Sequence, residues 1–172
     1  MLACQNDMPY ENRFKIIPSV YLLLIKDGKI LLSRRYQTGY EDGKYGLVAG
    51  HAEAGESFTN ALYREVKEES GIEIDPRNVI HRLTMHRNCV GENHERVDFF
   101  FETDAWSGEI INMEPDRCDD LGWFPLGDLP ENIIPYIRRA IECSQNGTTY
   151  CEYGWGEGEV YRTVPVLSQE EK

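Results

Sequence analysis

The chain has 172 residues, of which 41% are hydrophobic, and this is enough for one domain with a sizeable core. Its 30 acidic and 18 basic residues give a formal net charge of −12, which argues against sequence-independent binding to duplex nucleic acid, because such binding needs basic surface against phosphate. The first residues lack a basic segment followed by an apolar run, and no stretch approaches membrane-spanning length, so we expect a cytoplasmic protein without a membrane partner.

A β-hairpin is predicted near the N-terminus. Residues 20–25 form a continuous apolar run typical of a buried strand, and residues 29–33 form its partner. Between them, Asp27-Gly28 is a dipeptide that favours a two-residue hairpin turn. Residues 45–50 then predict a short strand that breaks into a glycine-bearing loop, where the backbone can turn and offer a carbonyl oxygen to a metal.

An acidic helix is predicted between Glu56 and Gly71. Glu56 and Ser57 suit the N-terminal cap and first turn, and Gly71 suits a left-handed C-terminal cap. One face of the helical wheel, at about 100° per residue, is apolar in its first turns and acidic in its last; it comprises Phe58, Ala61, Leu62, Glu65 and Glu69, with Glu68 on its edge. A stripe that should pack inward therefore ends in carboxylates.

The three carboxylates of this helix need a compensating positive charge. Like charges four residues apart destabilise a helix, and a buried uncompensated carboxylate costs much more. Arg64 and Lys67 can offset part of the charge, but both point away from the centre of the stripe. Because hard divalent cations prefer oxygen ligands, Mg²⁺ or Mn²⁺ is the natural candidate. A solvated acidic face is the alternative for a charge run of this kind.

The second half of the chain predicts the remainder of a sheet and a second helix. Residues 78–87 and 95–103 form a strand pair, and residues 121–124 form a further short strand. Isoleucines recur at helical spacing at positions 133, 134, 137 and 141. This spacing predicts a helix over residues 131–145 that covers the other face of the sheet.

A single domain is predicted, with a core over about residues 16–146 and a C-terminal tail over residues 147–172. The tail is rich in aromatic residues and glycine between Tyr150 and Gly156. This composition is compatible with closure over a site, with packing at a homodimer interface, or with folding back on the core. The last of these is the default expectation.

Residues 50–72 resemble the signature of the Nudix hydrolase superfamily, G-x5-E-x7-R-E-U-x-E-E-x-G-U with U aliphatic, at every fixed position. The matching residues are Gly50, Glu56, Arg64, Glu65, Val66, Glu68, Glu69, Gly71 and Ile72. This resemblance is specific for the superfamily and not for a substrate. It implies an α/β fold, an α/β/α sandwich with a mixed β-sheet between helices. It also implies Mg²⁺- or Mn²⁺-dependent hydrolysis of a nucleoside diphosphate linked to another moiety.

The resemblance also implies roles for individual residues of this segment. The metal ligands would be Glu65, Glu68 and Glu69, together with the carbonyl oxygen of Gly50. Arg64 would hold one of these carboxylates in position, and we expect Glu56 to pair with Arg64 because arginine favours bidentate contact with a carboxylate. A carboxylate not fully used by metal would take the proton from the attacking water. The catalytic candidates here are Arg64, Glu68 and Glu69, and the signature does not settle which carboxylate is the base.

A late carboxylate is expected outside the signature. Residues 106–115 resemble the segment of MutT-type Nudix enzymes that supplies such a group, which makes Glu114 the first choice for an additional ligand or general base. A solvent-facing loop glutamate is the alternative, because loops carry function but also simply carry charge. The other candidates are Glu92, Glu95 and Glu109.

Substrate contacts are predicted at the end of the second hairpin strand and in the loop that follows it. Arg34 and Arg35 lie where MutT-type relatives place basic residues near the nucleotide, and arginine suits phosphate oxygens; surface placement is the alternative. The loop that leads into the signature contains three tyrosines that are candidates for stacking on a base: Tyr36, Tyr40 and Tyr45. Of these, Tyr45 is included among the predicted substrate-binding residues.

The predicted substrate is a small nucleotide, a nucleoside triphosphate in canonical or oxidised form. No segment like S-Q-P-W-P-F follows the signature, which disfavours an NADH pyrophosphatase. An RNA 5′-end pyrophosphohydrolase is an alternative, although the acidic charge is unfavourable for a long polyanion. A non-catalytic nucleotide-sensing or protein-interaction module on the same scaffold is the other alternative, and it predicts binding without turnover.

Overall fold

The computed structural model describes residues 14–89, 94–156 and 163–164. Glu92, one of the candidates for the late carboxylate, lies outside the described residues. The described strands are β1 Ile17–Lys26, β2 Lys29–Arg35, β3 Tyr45–Gly46, β4 Ala49–His51, β5 Glu73–Ile74, β6 Ile80–Cys89, β7 His94–Thr103, β8 Trp106–Ser107, β9 Cys118–Pro125, β10 Tyr150–Tyr153 and β11 Thr163–Val164. The helices are α1 Phe58–Ser70 and α2 Pro135–Gln145, with a short 3-10 helix at Pro76–Asn78.

The main sheet is mixed, as the family resemblance implied. Its strand order is β11-β10-β6-β7-β1-β2-β3, with β4 paired to β1 and β9 paired to β2. The pairs β1–β7 and β6–β10 are parallel, and the other pairs in this sheet are antiparallel. The predicted hairpin is present: Asp27 and Gly28 both have positive φ angles, of 50° and 73°, as a primed turn requires.

Divergence of β1 and β2 opens the sheet beyond this hairpin. The two strands pair only next to the turn, at Ile25 with Ile30 and Lys26 with Lys29. Further along, β1 pairs with β4 while β2 pairs with β3 and β9. The segment from β3 to β4 therefore spans a gap in the sheet, and it carries the glycine loop of the Nudix signature to the middle of that gap.

Alternation along β1 separates the core into two layers. Val20, Leu22 and Leu24 pack in one cluster with the apolar face of α1, while Tyr21 and Leu23 pack in a second cluster with α2. All five side chains are buried. Because successive strand residues face opposite sides of a sheet, both faces need a helix to cover them, and the result is the α/β/α sandwich.

Helix α1 begins and ends where its capping residues predict. Ser57 is the N-cap, and its side chain accepts a hydrogen bond from the Asn60 amide at 3.2 Å. Gly71 ends the helix with φ of 72°, and its amide bonds to the Lys67 carbonyl. The buried face is Ala61, Leu62, Val66 and Ser70. Phe58, predicted for that face, is 38% exposed and instead stacks on Phe99 at the edge of the layer.

Helix α2 begins at Pro135, four residues later than predicted. Ile133 forms an isolated parallel bridge with Tyr45, and the Ile134 amide donates to the Tyr45 carbonyl at 2.9 Å. These contacts hold residues 133–134 extended beside β3, and Pro135 then supplies a φ angle suited to a first helical residue. Ile133 and Ile134 are still buried, so the periodic isoleucines do mark the core.

The sheet continues past residue 146, where the sequence predicts the start of the tail. Strand β10 runs parallel to β6, and Cys151 is fully buried there. Trp155 then donates from Nε1 to the His86 carbonyl at 3.1 Å. This part of the tail folds back on the core. In the described part of the chain, no helix is both long and apolar enough to cross a membrane.

Candidate active site

Arg64 organises the carboxylates at one face of α1. Its Nε and Nη2 atoms donate to the two oxygens of Glu56 at 3.1 and 3.0 Å, which is the bidentate pair expected from the sequence. Its Nη1 atom donates to Glu65 at 2.8 Å and to Glu68 at 3.3 Å. Nη2 also donates to the His51 carbonyl at 3.1 Å. One guanidinium thus ties the end of β4 to three carboxylates, and it lowers the pKa of Glu56.

Glu65 packs against the backbone of Gly50. A Cβ atom at position 50 would lie 1.9 Å from both Cδ and Oε1 of Glu65, so any larger residue would displace this carboxylate. Gly50 is itself paired with Val20 of β1, which fixes its position in the sheet. The glycine of the signature is therefore the residue that lets the Glu65 carboxylate lie close against the backbone of β4.

Glu69 is enclosed in the same region. Its Oε2 atom accepts a hydrogen bond from the Ala49 amide at 3.1 Å. The pKa of Glu69 is raised to about 8, first by burial and then by the carboxylates of Glu65 and Glu114, against the opposing effects of the Ala49 amide and Arg35. Burial likewise raises the pKa of Glu65, with Glu68 and Glu114 adding to the effect. These carboxylates lie in one negative field that a cation would relieve.

The donor set fits a hard divalent ion. Carboxylate oxygens and a glycine carbonyl are ligands that Mg²⁺ accepts, and Glu65, which offers the first, lies against Gly50, which offers the second. Within residues 14–89 and 94–156, however, no three acidic, histidine or cysteine side chains converge on a single point. Arg64 instead holds Glu65 and Glu68, and the Ala49 amide holds Glu69. Metal binding would draw these carboxylates away from their present partners.

A cleft of about 670 Å³ begins at these carboxylates. We call the part lined by Gly50, Arg64, Glu65, Glu68, Glu69 and Glu114 the acidic end. From there the cleft crosses the β3–β4 segment to the first turn of α2. We call this second part, lined by Ser19, Tyr21, Arg96, Ile134, Tyr136 and Ile137, the α2 end. The volume is within the range of pockets that bind cofactor-sized ligands.

Arg35 lines the cleft, as expected for a substrate-binding arginine. Its Nε atom donates to the Tyr40 carbonyl at 2.7 Å, and its Nη2 atom donates to Thr38 Oγ1 at 2.9 Å. Asp42 in turn accepts hydrogen bonds from the amides of Thr38 and Gly39, both at 2.9 Å. The loop after β2 is therefore folded around the guanidinium, which keeps Arg35 at the wall of the cleft.

Arg34 and Tyr45, also predicted to contact substrate, lie outside the residues that line the cleft. Arg34 makes a bidentate pair with Asp119, at 2.7 and 3.1 Å. The Tyr45 hydroxyl donates to Asp120, and its ring packs edge-on against Phe124. Both partners lie on β9. The sequence predicted β9 only as residues 121–124, so it did not reveal these cross-strand contacts.

The candidates for the late carboxylate lie in different parts of the structure. Glu114 lines the acidic end, and its amide donates to Asn112 Oδ1 at 3.0 Å. Among the described alternatives, Glu95 contacts His86 at 2.8 Å and Glu109 is exposed, and neither lines the cleft. The structure therefore brings Glu114 next to Glu65 and Glu69, where it raises the pKa of both.

The α2 end of the cleft was missed by sequence reasoning. Tyr21 and Tyr136 meet there through their hydroxyls at 3.4 Å, and Tyr21 stacks on Phe100. At the rim, Arg96 Nη1 lies 2.8 Å from His51 Nε2. These residues come from β1, β4, β7 and α2, and no local motif joins them. The position of His51 directly after Gly50 was the one available signal.

Comparison with known proteins identifies the family. A family model of the NUDIX domain matches residues 15–142. A curated relative from Pseudomonas putida named NAD-capped RNA hydrolase NudC is 36% identical over 118 residues, which is 67% of this chain and 39% of the relative, so the chain spans about two fifths of that relative's length.

Solved structures agree with this assignment. The MutT NUDIX hydrolase from Burkholderia pseudomallei is 30% identical, with a TM-score of 0.70 over 74% of this chain and 97% of that one. The NUDIX domain of Shewanella oneidensis NrtR, solved as a complex with ADP ribose, is 19% identical, with a TM-score of 0.59 over 81% of this chain and 93% of that one. At this identity it supports the shared fold alone. Because the family model matches well over half of the chain, this chain belongs to the Nudix family.

Proposed function

We propose that this chain is a Mg²⁺- or Mn²⁺-dependent pyrophosphohydrolase that cleaves a phosphoanhydride bond of a nucleoside diphosphate derivative. The observation that carries the proposal is the continuity of one cleft from the carboxylates of α1 to an aromatic pocket at α2. A substrate of this class has a polyanionic part that needs metal and a nucleoside part that needs apolar surface. The acidic end and the α2 end offer these two environments within one cavity.

The proposed metal ligands are Glu65, Glu68, Glu69 and the Gly50 carbonyl. When bound, the ion would neutralise phosphate oxygens and lower the pKa of the attacking water. Arg64 would keep Glu65 in place, because its guanidinium is itself fixed by Glu56 on one side and the His51 carbonyl on the other. Arg35 at the cleft wall would contact phosphate oxygens.

The proton of the attacking water needs an acceptor at the acidic end. A general base works best with a pKa near the working pH, and the pKa of Glu69 is raised to about 8 by burial. Glu68 is exposed and Glu114 lies in the same negative field. We propose the base among Glu68, Glu69 and Glu114, with the turnover of single Gln variants as the means of separating them.

The proposed substrate is a nucleoside triphosphate, canonical or oxidised. A second candidate is a 5′-end pyrophosphohydrolase of RNA, which the name of the Pseudomonas putida relative, NAD-capped RNA hydrolase, favours. That relative is matched over 39% of its length only, and the S-Q-P-W-P-F-like segment is missing from the present sequence. Two arginines at the rim, Arg96 and Arg117, offer contacts to a longer polyanion.

The test is phosphate and pyrophosphate release in Mg²⁺ and then Mn²⁺. The panel contains canonical and oxidised nucleoside triphosphates, ADP-ribose, dinucleoside polyphosphates, and RNA with a triphosphate or NAD at its 5′ end. Glu68→Gln is the blank, and Glu73→Gln is the matched control, because Glu73 pairs with Lys67 outside the cleft. We expect turnover of one class, a loss of at least 100-fold in Glu68→Gln, and near-normal turnover in Glu73→Gln.

Silence across the panel would contradict the catalytic proposal. If the silent protein still bound nucleotide, the result would support the sensing module, for which Glu68→Gln should leave the affinity unchanged. Turnover that persisted in Glu68→Gln would instead place the chemistry away from the signature carboxylates.

A further inference from the structure

Two buried oxygen atoms near the α2 end make no hydrogen bond of good geometry among the described residues. They are Ser19 Oγ and Asp98 Oδ1. Ser19 is 2% exposed and Asp98 is fully buried. Buried polar atoms in native proteins are nearly always paired, so two such atoms in one place call for an explanation. Ser19 is also one of the residues that line the cleft.

The two unpaired atoms belong to neighbouring residues. Ser19 and Asp98 are paired in register across the parallel strands β1 and β7. The other oxygen of Asp98, Oδ2, accepts a hydrogen bond from Arg87 Nε at 2.8 Å. The Arg87 guanidinium is held in turn, 3.8 Å from the ring centroid of Tyr136. Asp98 is therefore fixed through one oxygen and keeps an acceptor site on the other.

A serine hydroxyl beside such a carboxylate has a defined hydrogen-bond direction. Burial raises the pKa of Asp98, and the Arg87 guanidinium lowers it, with smaller effects of the same sign from Arg96 and the Ser19 hydroxyl. An ionised carboxylate only accepts hydrogen bonds, so the one hydroxyl proton of Ser19 is directed towards Asp98 Oδ1. The lone pairs of Ser19 Oγ then remain for the cleft, and a ligand atom that meets them must be a donor.

The surroundings indicate which part of a substrate reaches Ser19. Tyr21, Ile134, Tyr136 and Ile137 surround this end with aromatic and aliphatic surface, whereas the carboxylates lie at the opposite end of the cleft. Phosphates accompanied by metal belong with the carboxylates. The nucleoside then extends to the α2 end, where its donors are base N–H groups and ribose hydroxyls.

We propose that Ser19, backed by Asp98 and Arg87, is a specificity-determining residue that accepts a hydrogen bond from a donor on the nucleoside part of the substrate. This inference rests on the proposed function for the direction in which the substrate lies. It assigns selectivity to a side chain outside the Nudix signature. A nucleoside without a donor at this point would leave the lone pairs of Ser19 Oγ without a hydrogen bond and would be turned over less efficiently.

The test measures kcat/KM for the substrate class found in the release assay, with adenine, guanine, hypoxanthine, cytosine and uracil as the base and with ribose and 2′-deoxyribose as the sugar. The variants are Ser19→Ala, which removes the acceptor, and Ser19→Thr, which keeps a hydroxyl on a residue suited to a strand. We expect Ser19→Ala to reduce kcat/KM for the preferred nucleoside by roughly ten- to hundred-fold and to flatten the preference. Ser19→Thr should retain the preference of the unmodified protein.

The pattern of loss identifies the donor. Loss of discrimination between bases would assign the donor to a base N–H group, and loss of discrimination between ribose and deoxyribose would assign it to the 2′ hydroxyl. Ser33→Ala is the matched control, because Ser33 also lines the cleft but its hydroxyl already donates to Cys118 Sγ at 3.4 Å. We expect Ser33→Ala to change all substrates in parallel.

A parallel change across all nucleosides in Ser19→Ala, or no change at all, would overturn the inference. Nucleotide affinity separates this failure from failure of the proposed function. If the unmodified protein showed no turnover, dissociation constants for the same series of nucleoside triphosphates in Mg²⁺ would still report on Ser19. A preference that is present in the unmodified protein and absent in Ser19→Ala would then support the inference without catalysis.

Discussion

The pKa of Glu69 depends strongly on how the folded chain encloses its carboxylate. Its carboxylate accepts one amide hydrogen bond, from Ala49, and burial together with two neighbouring carboxylates raises its pKa to about 8. On the sequence it is simply the second residue of an acidic pair. Only the closure of the β4 segment over α1 makes it different from the exposed Glu68 beside it.

We predict that Glu69 makes the metal-free protein less stable as pH rises. Its folded pKa of about 8 lies above the ordinary value of 4.5, so the folded state binds the extra proton between these limits. The free energy of unfolding should therefore fall as pH rises from about 4.5 to about 8 and then level off. Denaturant titrations in a chelator should show that Glu69→Gln removes this part of the slope, whereas Glu68→Gln keeps it. Equal slopes in Glu69→Gln and the unmodified protein would contradict the prediction.

The buried pair of Arg87 and Asp98 makes a second prediction about single residues. Both residues are nearly inaccessible, at 4% and 0% exposure, so Asp98→Ala would leave a buried guanidinium without its carboxylate. We expect a loss of about 3–5 kcal/mol in the free energy of unfolding. The control is Asp119→Ala, which breaks the bidentate but exposed pair with Arg34 and should cost less than about 1 kcal/mol. Similar losses in the two variants would show that burial does not decide the difference.

At the scale of elements, the contact between β4 and α1 shapes the proposed metal site. Gly50 contributes a position without a side chain, and α1 contributes Glu65 to the space that this leaves. The caps at Ser57 and Gly71 fix where α1 begins and ends, and hence which of its residues face β4. The position of β4 against α1 therefore decides which side chains reach the proposed metal site.

Gly50→Ala should fold and bind metal poorly. The added Cβ would lie 1.9 Å from the carboxylate carbon of Glu65, and a flexible side chain can move away from it without disturbing the backbone. We expect the Mn²⁺ dissociation constant, measured by calorimetry, to rise at least ten-fold, about 1.4 kcal/mol, with an unchanged circular dichroism spectrum. Gly46→Ala is the control, since a Cβ there would meet Ile134 at 3.5 Å and the Ser33 carbonyl oxygen at 4.0 Å, both ordinary contacts. Equal weakening in both variants would contradict a specific role for Gly50.

At the scale of the whole molecule, β10 extends the sheet beyond the region that matches the family. The match ends at residue 142, and β10 spans Tyr150–Tyr153 beside β6. Its backbone covers what would otherwise be an edge of β6, and Cys151 is buried against the layer under α2. The aromatic residues that follow include Trp155, which packs on His86.

We predict that a chain ending at Asn146 is markedly less stable than the full chain. Removal of β10 would leave β6 with unpaired backbone groups and would uncover buried side chains, and an open edge of this kind also promotes aggregation. A loss of a few kcal/mol corresponds to a decrease of roughly 5–10 °C in Tm for a protein of this size. Thermal denaturation and light scattering of the two chains would measure it. An unchanged Tm would show that β10 is dispensable for the fold.

The sequence by itself determined the family, the sandwich and the acidic helix. Each depends on local order: the spacing of glutamates around Arg64, the caps of α1, and the Asp27-Gly28 turn are all set by neighbours within a few residues. The late start of α2 was not predictable in this way, because it depends on pairing with Tyr45, about 90 positions earlier in the chain.

Only the tertiary structure decided the environment of the cleft. Arg34 and Arg35 are adjacent in sequence but lie in different environments. Arg34 pairs with Asp119 of β9, whereas Arg35 is held by the loop after β2 and lines the cleft. Ser19, Asp98 and Tyr136 meet from β1, β7 and α2, and nothing in their local sequence marks them. Long-range pairing sets burial, and burial sets which polar groups lack partners. A sequence read in short windows contains neither quantity.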